Sequence, residues 1–221
     1  MLDNPARINV SLCLNCRGLG ETEAVKDLCA LLQRFSPRLV FLSETKRSKT
    51  EMKAMLVQLG DNHGTFMDAR GRSGGLLLLW DKNLALIVLS YSSNHIDTTS
   101  QWYNQDPLWR FTGVYNWPEN QQKHCTGEMM AGLKTHMDLP WLVGGDLNEI
   151  FCYCEKAGGP LRSQAHIDAF KDAFLDNDLH DLGFSGYDYT WCNNREGGEI
   201  VEERLDRFYA STEWSIQFPE A

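Results

Sequence analysis

Residues 141–150 of the 221-residue chain have the sequence WLVGGDLNEI, in which an apolar run meets two glycines, an acid and an amide. A short apolar run bounded by turn residues is typical of a buried β-strand. Because residues i and i+2 of an extended strand share a face, Asp146 and Asn148 are predicted to point the same way while Leu147 enters the core. The glycines either let two backbones approach closely or relieve crowding between strands. The stretch is therefore either a polar turn or the floor of a site.

The composition indicates a globular protein without a broadly basic surface. The chain is 43% hydrophobic and has a formal net charge of −9. The hydrophobic fraction is enough for a sizeable core. The negative net charge disfavours non-specific nucleic-acid binding through a surface rich in lysine and arginine. A phosphate-bearing substrate is still compatible with the charge, because a bound divalent cation inverts the sign of an acidic site locally.

The sequence predicts an intracellular protein, nuclear or cytoplasmic. Residues 1–5, MLDNP, lack the basic and then apolar pattern of a secretory signal. The apolar runs at 76–80 and 84–89 are too short to span a bilayer, so no membrane association is expected. The chain has seven cysteines, and an odd number without a secretory signal predicts that the thiols are reduced.

Hydrophobic periodicity predicts a single α/β domain over residues 1–221. Strands are predicted at residues 8–14, 38–42, 65–68, 76–80, 84–91, 95–101, 108–115, 141–148, 189–192 and 200–209. Helices are predicted at residues 25–35, 52–59, 119–137 and 167–174. No linker or internal repeat divides the chain, and the many short strands favour mixed or largely antiparallel sheets with helices packed outside them.

Polar side chains stand at the ends of the predicted strands, where binding groups are often placed. These residues are Asn15, Glu44, Tyr115, Asp146 with Asn148, and Asp206. Each one alone is more typical of a turn, but together they suggest a shared site. Oxygen ligands of this kind suit Mg²⁺, which binds one or two carboxylates together with water and substrate phosphate.

Other candidate residues have both a functional and a structural interpretation. Trp191 is predicted either to stack on a nucleotide or to pack in a hairpin core, and Arg72 either to contact backbone phosphate or to be solvated. The C-x-x-C at residues 13–16 is disfavoured as a zinc site, because i and i+3 lie on opposite faces of a strand. Cys152 and Cys154 are expected to be ordinary loop and core cysteines.

Six ordered motifs resemble the endonuclease/exonuclease/phosphatase superfamily and cover nearly the whole chain. They are NCRGLG, LSETK, RSGGLLLLW, FTGVYNWP, GGDLNEI and YTWCNNREGGEIVEERLDRF. Within that superfamily the motifs are most similar to the endonuclease domain of plant-type LINE (non-LTR) retrotransposons. The resemblance implies an α/β fold, a four-layer αββα sandwich of the DNase I-like type, with its active site at one end of two packed sheets.

The resemblance also implies a role for each motif residue in Mg²⁺-dependent hydrolysis of DNA, with Mn²⁺ as an alternative ion. Glu44 would bind the metal with Asn15 beside it, and Tyr115 would contact the scissile phosphate. Asp146 would activate the attacking water or protonate the leaving oxygen, with Asn148 orienting phosphate or water. Asp206 would support a catalytic histidine. The implied protein is a monomer that acts on DNA, fused to or encoded with a reverse transcriptase.

One departure from the family pattern affects the expected activity. The pattern ends in Ser-Asp-His, but these 221 residues contain no such triplet and no histidine after His180. The expectation is a domain whose last strand is missing at the carboxyl terminus and whose activity is impaired. The alternative is a non-catalytic retrotransposon-derived fragment that keeps the fold and at most weak nucleic-acid or metal binding. The same fold also serves inositol-phosphate phosphatases, sphingomyelinases and deadenylases, because fold alone does not set the substrate.

Overall fold

Two β-sheets stacked face to face form the centre of the computed structural model, which describes residues 10–58, 63–70, 73–102, 106–135, 137–193 and 198–220. The first sheet contains β1 (Ser11–Asn15), β2 (Leu39–Ser43), β3 (His63–Arg70) and β4 (Ser73–Trp80), in the order β1-β2-β4-β3. The second contains β5 (Ala85–Tyr91), β6 (His95–Gln101), β7 (Trp109–Tyr115), β8 (Trp141–Asp146), β10 (Leu179–Asp181) and β13 (Asp206–Ser211), in the order β10-β13-β8-β7-β6-β5. A small third sheet has the order β11-β12-β9, with β9 at Lys156–Ala157, β11 at Trp191–Cys192 and β12 at Glu202–Glu203.

Two pairs of parallel strands set the geometry of the sandwich. Strand β1 runs parallel to β2, and β7 runs parallel to β8, whereas the remaining neighbours within the two large sheets are antiparallel. The mixed and largely antiparallel character predicted from the sequence is therefore confirmed. The carboxyl ends of the two strands in each parallel pair therefore lie side by side at the same end of their sheet.

Helices cover the two outer faces. They are α1 (Thr22–Phe35) and α2 (Lys49–Gln58) on the first sheet, α3 (Cys125–Lys134) and α4 (Gln164–Leu175) on the second, and the short α5 (Thr212–Gln217) after β13. None of the helices in the described part of the chain is both long enough and apolar enough to cross a bilayer.

Side-chain alternation along the strands builds the layers. In β2, Leu39 and Phe41 pack against the facing sheet, whereas Val40 and Leu42 pack against the helices. The side chains on the strands of the second sheet alternate in the same way. One set packs in the core between the sheets, and the other packs against α3 and α4. Both faces of a central strand are thus buried, and each fully buried Leu or Phe contributes about 1.5–3 kcal/mol. The four-layer αββα sandwich is confirmed, while the missing last strand stays a prediction.

A buried ion pair lies in the second sheet between β6 and β7. Arg110 and Asp97 are 0% and 1% exposed, and the guanidinium donates hydrogen bonds of 2.8 Å to both carboxylate oxygens. Thr112 Oγ1 adds a 2.7 Å hydrogen bond to Asp97 Oδ1, and the indole of Trp141 lies under the guanidinium at 4.4 Å. The charges are therefore both paired and hydrogen-bonded, which is what makes such deep burial tolerable.

Several elements differ from the predictions. The predicted strand at residues 200–209 is split between β12 and β13, which belong to different sheets, and the predicted helix at 119–137 is limited to α3 with a 3₁₀ turn at Asn120–Gln122 before it. Strands β9 and β10 and helix α5 were not predicted, because two- or three-residue strands and a six-residue helix carry too little periodicity. The expectation that all cysteines are reduced is wrong for Cys152 and Cys154, which form a disulfide across a Cα–Cα distance of 5.3 Å.

Candidate active site

Five strands bring polar residues to the same end of the sandwich. Strands β1, β2, β7 and β8 end there, and β13, which is antiparallel to β8, begins there. The register places Tyr115 opposite Asp146, and Asp146 opposite Asp206, on three neighbouring strands of the second sheet. Asn15 and Glu44 come from the ends of β1 and β2 in the first sheet. The structure therefore brings these strand ends together, as the sequence predicts, while their roles in a functional site stay a prediction.

Two glycines allow this packing at the end of β8. A Cβ on Gly144 would lie 2.4 Å from the ring of Phe208, and a Cβ on Gly145 would lie 2.0 Å from the carbonyl oxygen of Val114. Gly145 also has φ of +144°, a conformation that side-chain-bearing residues rarely adopt. Of the two roles considered for these glycines, close backbone approach therefore applies to Gly145, while Gly144 makes room for an aromatic ring.

Asp146 is the link between the two sheets. Its Oδ2 accepts a 2.7 Å hydrogen bond from the side-chain amide of Asn15, and its Oδ1 accepts a 2.9 Å bond from the backbone N–H of Asn148. Burial raises the pKa of Asp146, and the nearby charge of Glu44 raises it further, while these two hydrogen bonds act in the opposite direction. The carboxylate is thus held in place by two donors in a buried position near a second acid.

Glu44 is held by residues from both sheets. The hydroxyl of Tyr115 donates a 2.7 Å hydrogen bond to Glu44 Oε1, and the ammonium of Lys46 lies 3.2 Å from Oε2. Burial alone would raise the pKa of Glu44, but the hydrogen bonds from Tyr115 and Lys46 and the charge of Lys46 outweigh it, so the pKa is lowered. Glu44 is therefore ionised at neutral pH, as a metal ligand must be.

The prediction that Asn148 shares a face of an extended strand with Asp146 is wrong. Strand β8 ends at Asp146, and Asn148 has a left-handed backbone with φ of +51°. The pair is joined by a turn, in which the Asn148 N–H bonds to the Asp146 side chain, and not by the alternation of an extended strand. Leu147 does enter the core, as predicted. Asn148 Nδ2 donates a 2.8 Å bond to the carbonyl of Asn116.

The carbonyl of Asn148 is held by two cations that the sequence analysis did not identify. It accepts hydrogen bonds from Lys123 Nζ and, at 2.9 Å, from Arg162 Nη1. The Arg162 guanidinium also makes two bonds to Glu203, at 3.0 and 2.5 Å, and one of 3.1 Å to Glu149. No motif links these residues, because they lie far apart in sequence. In the sequence, the acid Glu149 beside the Asp-Leu-Asn turn is the one indication of this network.

Asp206 is the second acid of the cleft with a raised pKa. Burial, followed by repulsion from Asp146, raises its pKa to about 7. The backbone N–H groups of Leu205 and Asp206 both donate to Thr190 Oγ1 at 3.0 Å, which fixes the start of β13. The carboxylates of Asp146 and Asp206, on adjacent strands, therefore repel each other when both are ionised.

Trp191 and Arg17 border the cleft. A cavity of about 720 Å³ is lined by Asn15, Glu44, Asp146, Asn148, Trp191 and other residues, and an adjoining cavity of about 510 Å³ includes Asp206. The guanidinium of Arg17 lies 6.0 Å from the centre of the Trp191 ring. Trp191 also packs partly against a small core containing Leu205, in line with its structural interpretation, and its stacking on a nucleotide stays a prediction. Arg72 lies outside the described residues.

Comparison with known proteins gives matches in structure only. Neither the scan of protein-family models nor the search of curated proteins finds a match. The structure is similar to the endonuclease domain of the telomere-specific non-LTR retrotransposon TRAS1, with 13% identity, a TM-score of 0.67 and coverage of 89% of this chain and 83% of that one. It is also similar to a 3′-5′ exonuclease from Neisseria meningitidis, with 17% identity, a TM-score of 0.64 and coverage of 91% and 85%. The AP endonuclease of Leishmania major matches with 12% identity, a TM-score of 0.67 and coverage of 91% and 78%.

The chain has the DNase I-like fold. Of what the resemblance to the endonuclease/exonuclease/phosphatase superfamily implies, the comparisons confirm the fold alone. The plant-type LINE branch stays a prediction.

The donor set of this DNase I-like cleft fits a hard divalent cation. Glu44 is ionised and partly exposed, and the cavity it lines also exposes Asn15 and Asp146. Burial is the main cause of the raised pKa values of Asp146 and Asp206, and the charge of a neighbouring carboxylate adds to each. Carboxylate and amide oxygens suit Mg²⁺ or Mn²⁺ better than softer metals.

Proposed function

We propose that this chain is a metal-dependent phosphodiesterase domain that hydrolyses DNA. The observation that carries the proposal is the hydrogen bond between Asn15 and Asp146, because it brings the polar strand ends of both sheets into one cleft. Three solved structures with the same fold support the substrate. They are a retrotransposon endonuclease domain, a 3′ phosphatase from Neisseria bound to a product DNA hairpin, and a zebrafish protein complexed with single-strand DNA product.

In the proposed reaction a water attacks phosphorus in line with the leaving oxygen. Asp146 accepts a proton from that water, while the hydrogen bonds from Asn15 and from the Asn148 N–H keep both of its oxygens oriented. The Asn148 side-chain amide uses one hydrogen on the carbonyl of Asn116, which leaves the other for a phosphate oxygen. Asn148 thereby stabilises charge that develops on phosphate.

Glu44 and Asn15 would hold Mg²⁺ in this proposal, with Asp146 and Asp206 adding to the negative potential. When bound, the ion supplies positive charge that neutralises the developing charge on phosphate oxygens. The hydroxyl of Tyr115 donates its hydrogen to Glu44 in this structure. Its most direct role is therefore to orient Glu44, and the predicted contact with scissile phosphate would require that this bond be exchanged.

We also propose that the activity of these 221 residues is impaired. They contain no Ser-Asp-His, and the loss of a general acid or base typically costs about 10²–10⁴-fold in rate. Asp206, with a pKa of about 7, is a group in the cleft that can gain or lose a proton near neutrality. The same sequence observation favours the second candidate function, a non-catalytic fragment that binds DNA or metal weakly.

Nicking of supercoiled plasmid in Mg²⁺ tests the proposal. The chain is expected to nick slowly, and Asp146→Ala is expected to abolish the nicking. Asp27→Ala, which removes an exposed carboxylate on α1, is the matched control and should behave as the parent chain. Parent and Asp146→Ala chains that are equally inactive would contradict hydrolysis, and fluorescence anisotropy with labelled DNA would then measure the remaining binding function. Appending a Ser-Asp-His strand should restore activity if its absence is the cause.

A further inference from the structure

The first turn of α3 carries three side chains with metal-binding atoms outside the cleft. His124 and Glu128 are exposed, and Cys125 is half-buried. His124 precedes the helix, Cys125 is its first residue, and Glu128 follows one turn later. Residues three and four positions apart lie on the same side of a helix, so Glu128 is adjacent to both of the others.

The distance between the sulfur and the nitrogen matches tetrahedral zinc coordination, and the Glu128 carboxylate lies near both atoms. The ligand atoms of all three residues lie within 4.8 Å of one another, and Cys125 Sγ is 3.6 Å from His124 Nε2. A zinc ion with a Zn–S bond of about 2.3 Å and a Zn–N bond of about 2.0–2.1 Å at a tetrahedral angle separates sulfur from nitrogen by roughly 3.5 Å. Sulfur and nitrogen are therefore already spaced as ligands of one ion.

The chemistry of the set differs from that of the cleft. Thiolate and imidazole select Zn²⁺ over Mg²⁺, whereas the cleft offers mainly oxygen atoms. The charges of a thiolate and a carboxylate balance a divalent ion, and both anions lie at the positive end of the α3 dipole. Binding would release the thiol proton of Cys125 to solvent.

We propose that His124, Cys125 and Glu128 form a zinc site, with water in the fourth position. The site adjoins residues that support the cleft. Lys123, immediately before it, contacts the carbonyl of Asn148, and Thr126, immediately after it, donates a 2.5 Å hydrogen bond to Asn116 Oδ1. Zinc binding itself does not depend on the proposed nuclease function.

Titration with Co²⁺, followed by absorbance, tests the proposal without any assay of activity. One equivalent of Co²⁺ should produce a thiolate-to-cobalt charge-transfer band and intense visible bands of tetrahedral cobalt, and Zn²⁺ should remove both. Cys125→Ser should lose the charge-transfer band. Glu128→Gln should keep a weakened site, with affinity reduced roughly tenfold or more.

Two controls separate this site from the cleft and from other thiols. Cys29→Ser removes a half-buried thiol on α1 and should leave the band unchanged. Glu44→Gln alters the cleft and should also leave the charge-transfer band unchanged. The test of the zinc site therefore does not depend on whether the proposed nuclease function is correct. A band that persists in Cys125→Ser, or the absence of a thiolate band in a parent chain with native circular dichroism, would overturn the proposal.

Discussion

The side-chain amide of Asn15 donates a 2.7 Å hydrogen bond to Asp146 Oδ2, and this contact joins the end of β1 in one sheet to the end of β8 in the other. The two residues are 131 positions apart in the sequence. The bond opposes the effect of burial, which raises the pKa of Asp146. Asn15 thus keeps Asp146 both oriented and more readily ionised.

Replacement of Asn15 should lower activity without unfolding the chain. We expect Asn15→Ala to reduce plasmid nicking about 10²-fold, because one oxygen of Asp146 loses its donor. Asn15→Asp should be at least as damaging, because two carboxylates would then face each other. Circular dichroism should show a native fold in both variants. Asn83→Ala, in an exposed turn, is the matched control, and nicking by Asn15→Ala equal to that of the control would contradict the assigned role.

The contact between Tyr115 and Glu44 predicts a change in metal requirement. Tyr115→Phe removes the hydroxyl that donates to Glu44 Oε1 while keeping the ring. Partners that orient a metal ligand typically contribute about 10–100-fold in metal affinity or activity. The Mg²⁺ concentration for half-maximal nicking should therefore rise by about tenfold. A variant that needs no more Mg²⁺ than the parent chain would show that Tyr115 does not act through Glu44.

Much of the fold could be predicted because apolar alternation marks the strands. Strand β6 has the predicted bounds, β5 and β7 begin one residue later than predicted, and β2 is shifted by one residue at both ends. The site could be predicted in outline for the same reason, since polar residues at the ends of such strands meet when the strands align. The proximity of Asn15 and Glu44 follows from the parallel pairing of β1 with β2, whereas their proximity to Asp146 requires the two sheets to stack.

The remaining features depend on contacts that a single sequence does not encode locally. The left-handed turn at Asn148 looks like a continuing strand when only alternation is considered. Arg162 precedes α4 by two residues and gives no sign in sequence that its guanidinium reaches the carbonyl of Asn148. The proposed zinc ligands His124 and Cys125 lie one turn before Glu128 in a segment predicted as helix, but no motif rich in Cys or His marks them as ligands.

Arg162 should influence the cleft through the carbonyl of Asn148. Arg162→Lys keeps a positive charge but loses the fork that binds Glu203 through two nitrogens. We expect kcat to fall about tenfold with little change in KM, because the Asn148 turn becomes less rigid. Chemical denaturation should show a loss of roughly 1–3 kcal/mol. Arg34→Lys, at an exposed position on α1, is the control, and an equal fall in kcat for both variants would exclude a specific role for Arg162.

The buried pair of Arg110 and Asp97 should be essential to stability as a pair. Asp97→Asn leaves the fully buried guanidinium without its counter-charge, and we expect a loss of about 3–5 kcal/mol in the free energy of unfolding. Arg110→Met combined with Asp97→Asn should cost less than the sum of the two single changes, because no uncompensated charge remains. Urea denaturation of the three variants measures the coupling. Strict additivity would contradict a direct interaction.

Asp206 should make the metal-free protein less stable as the pH rises. Its folded pKa, about 7, is above the ordinary value of 3.8, so the folded state holds the proton more tightly than the unfolded state does. The stabilising contribution is complete below about pH 4 and is lost as the pH rises through 7. Asp206→Asn removes this dependence. At pH 8 the variant should be more stable than the parent chain by roughly 2–4 kcal/mol, and near pH 4 the two should be similar.

Urea denaturation between pH 4 and 8 in the presence of a chelator measures this difference. The chelator is needed because a divalent cation would favour the ionised carboxylates and hide the effect. Asp188→Asn, at an exposed position, is the matched control and should follow the parent chain at every pH. Asp146 contributes to the raised pKa of Asp206, so Asp146→Asn should also reduce the pH dependence. Parallel stability curves for the parent chain and Asp206→Asn would show that the pKa of Asp206 is not raised in the folded protein.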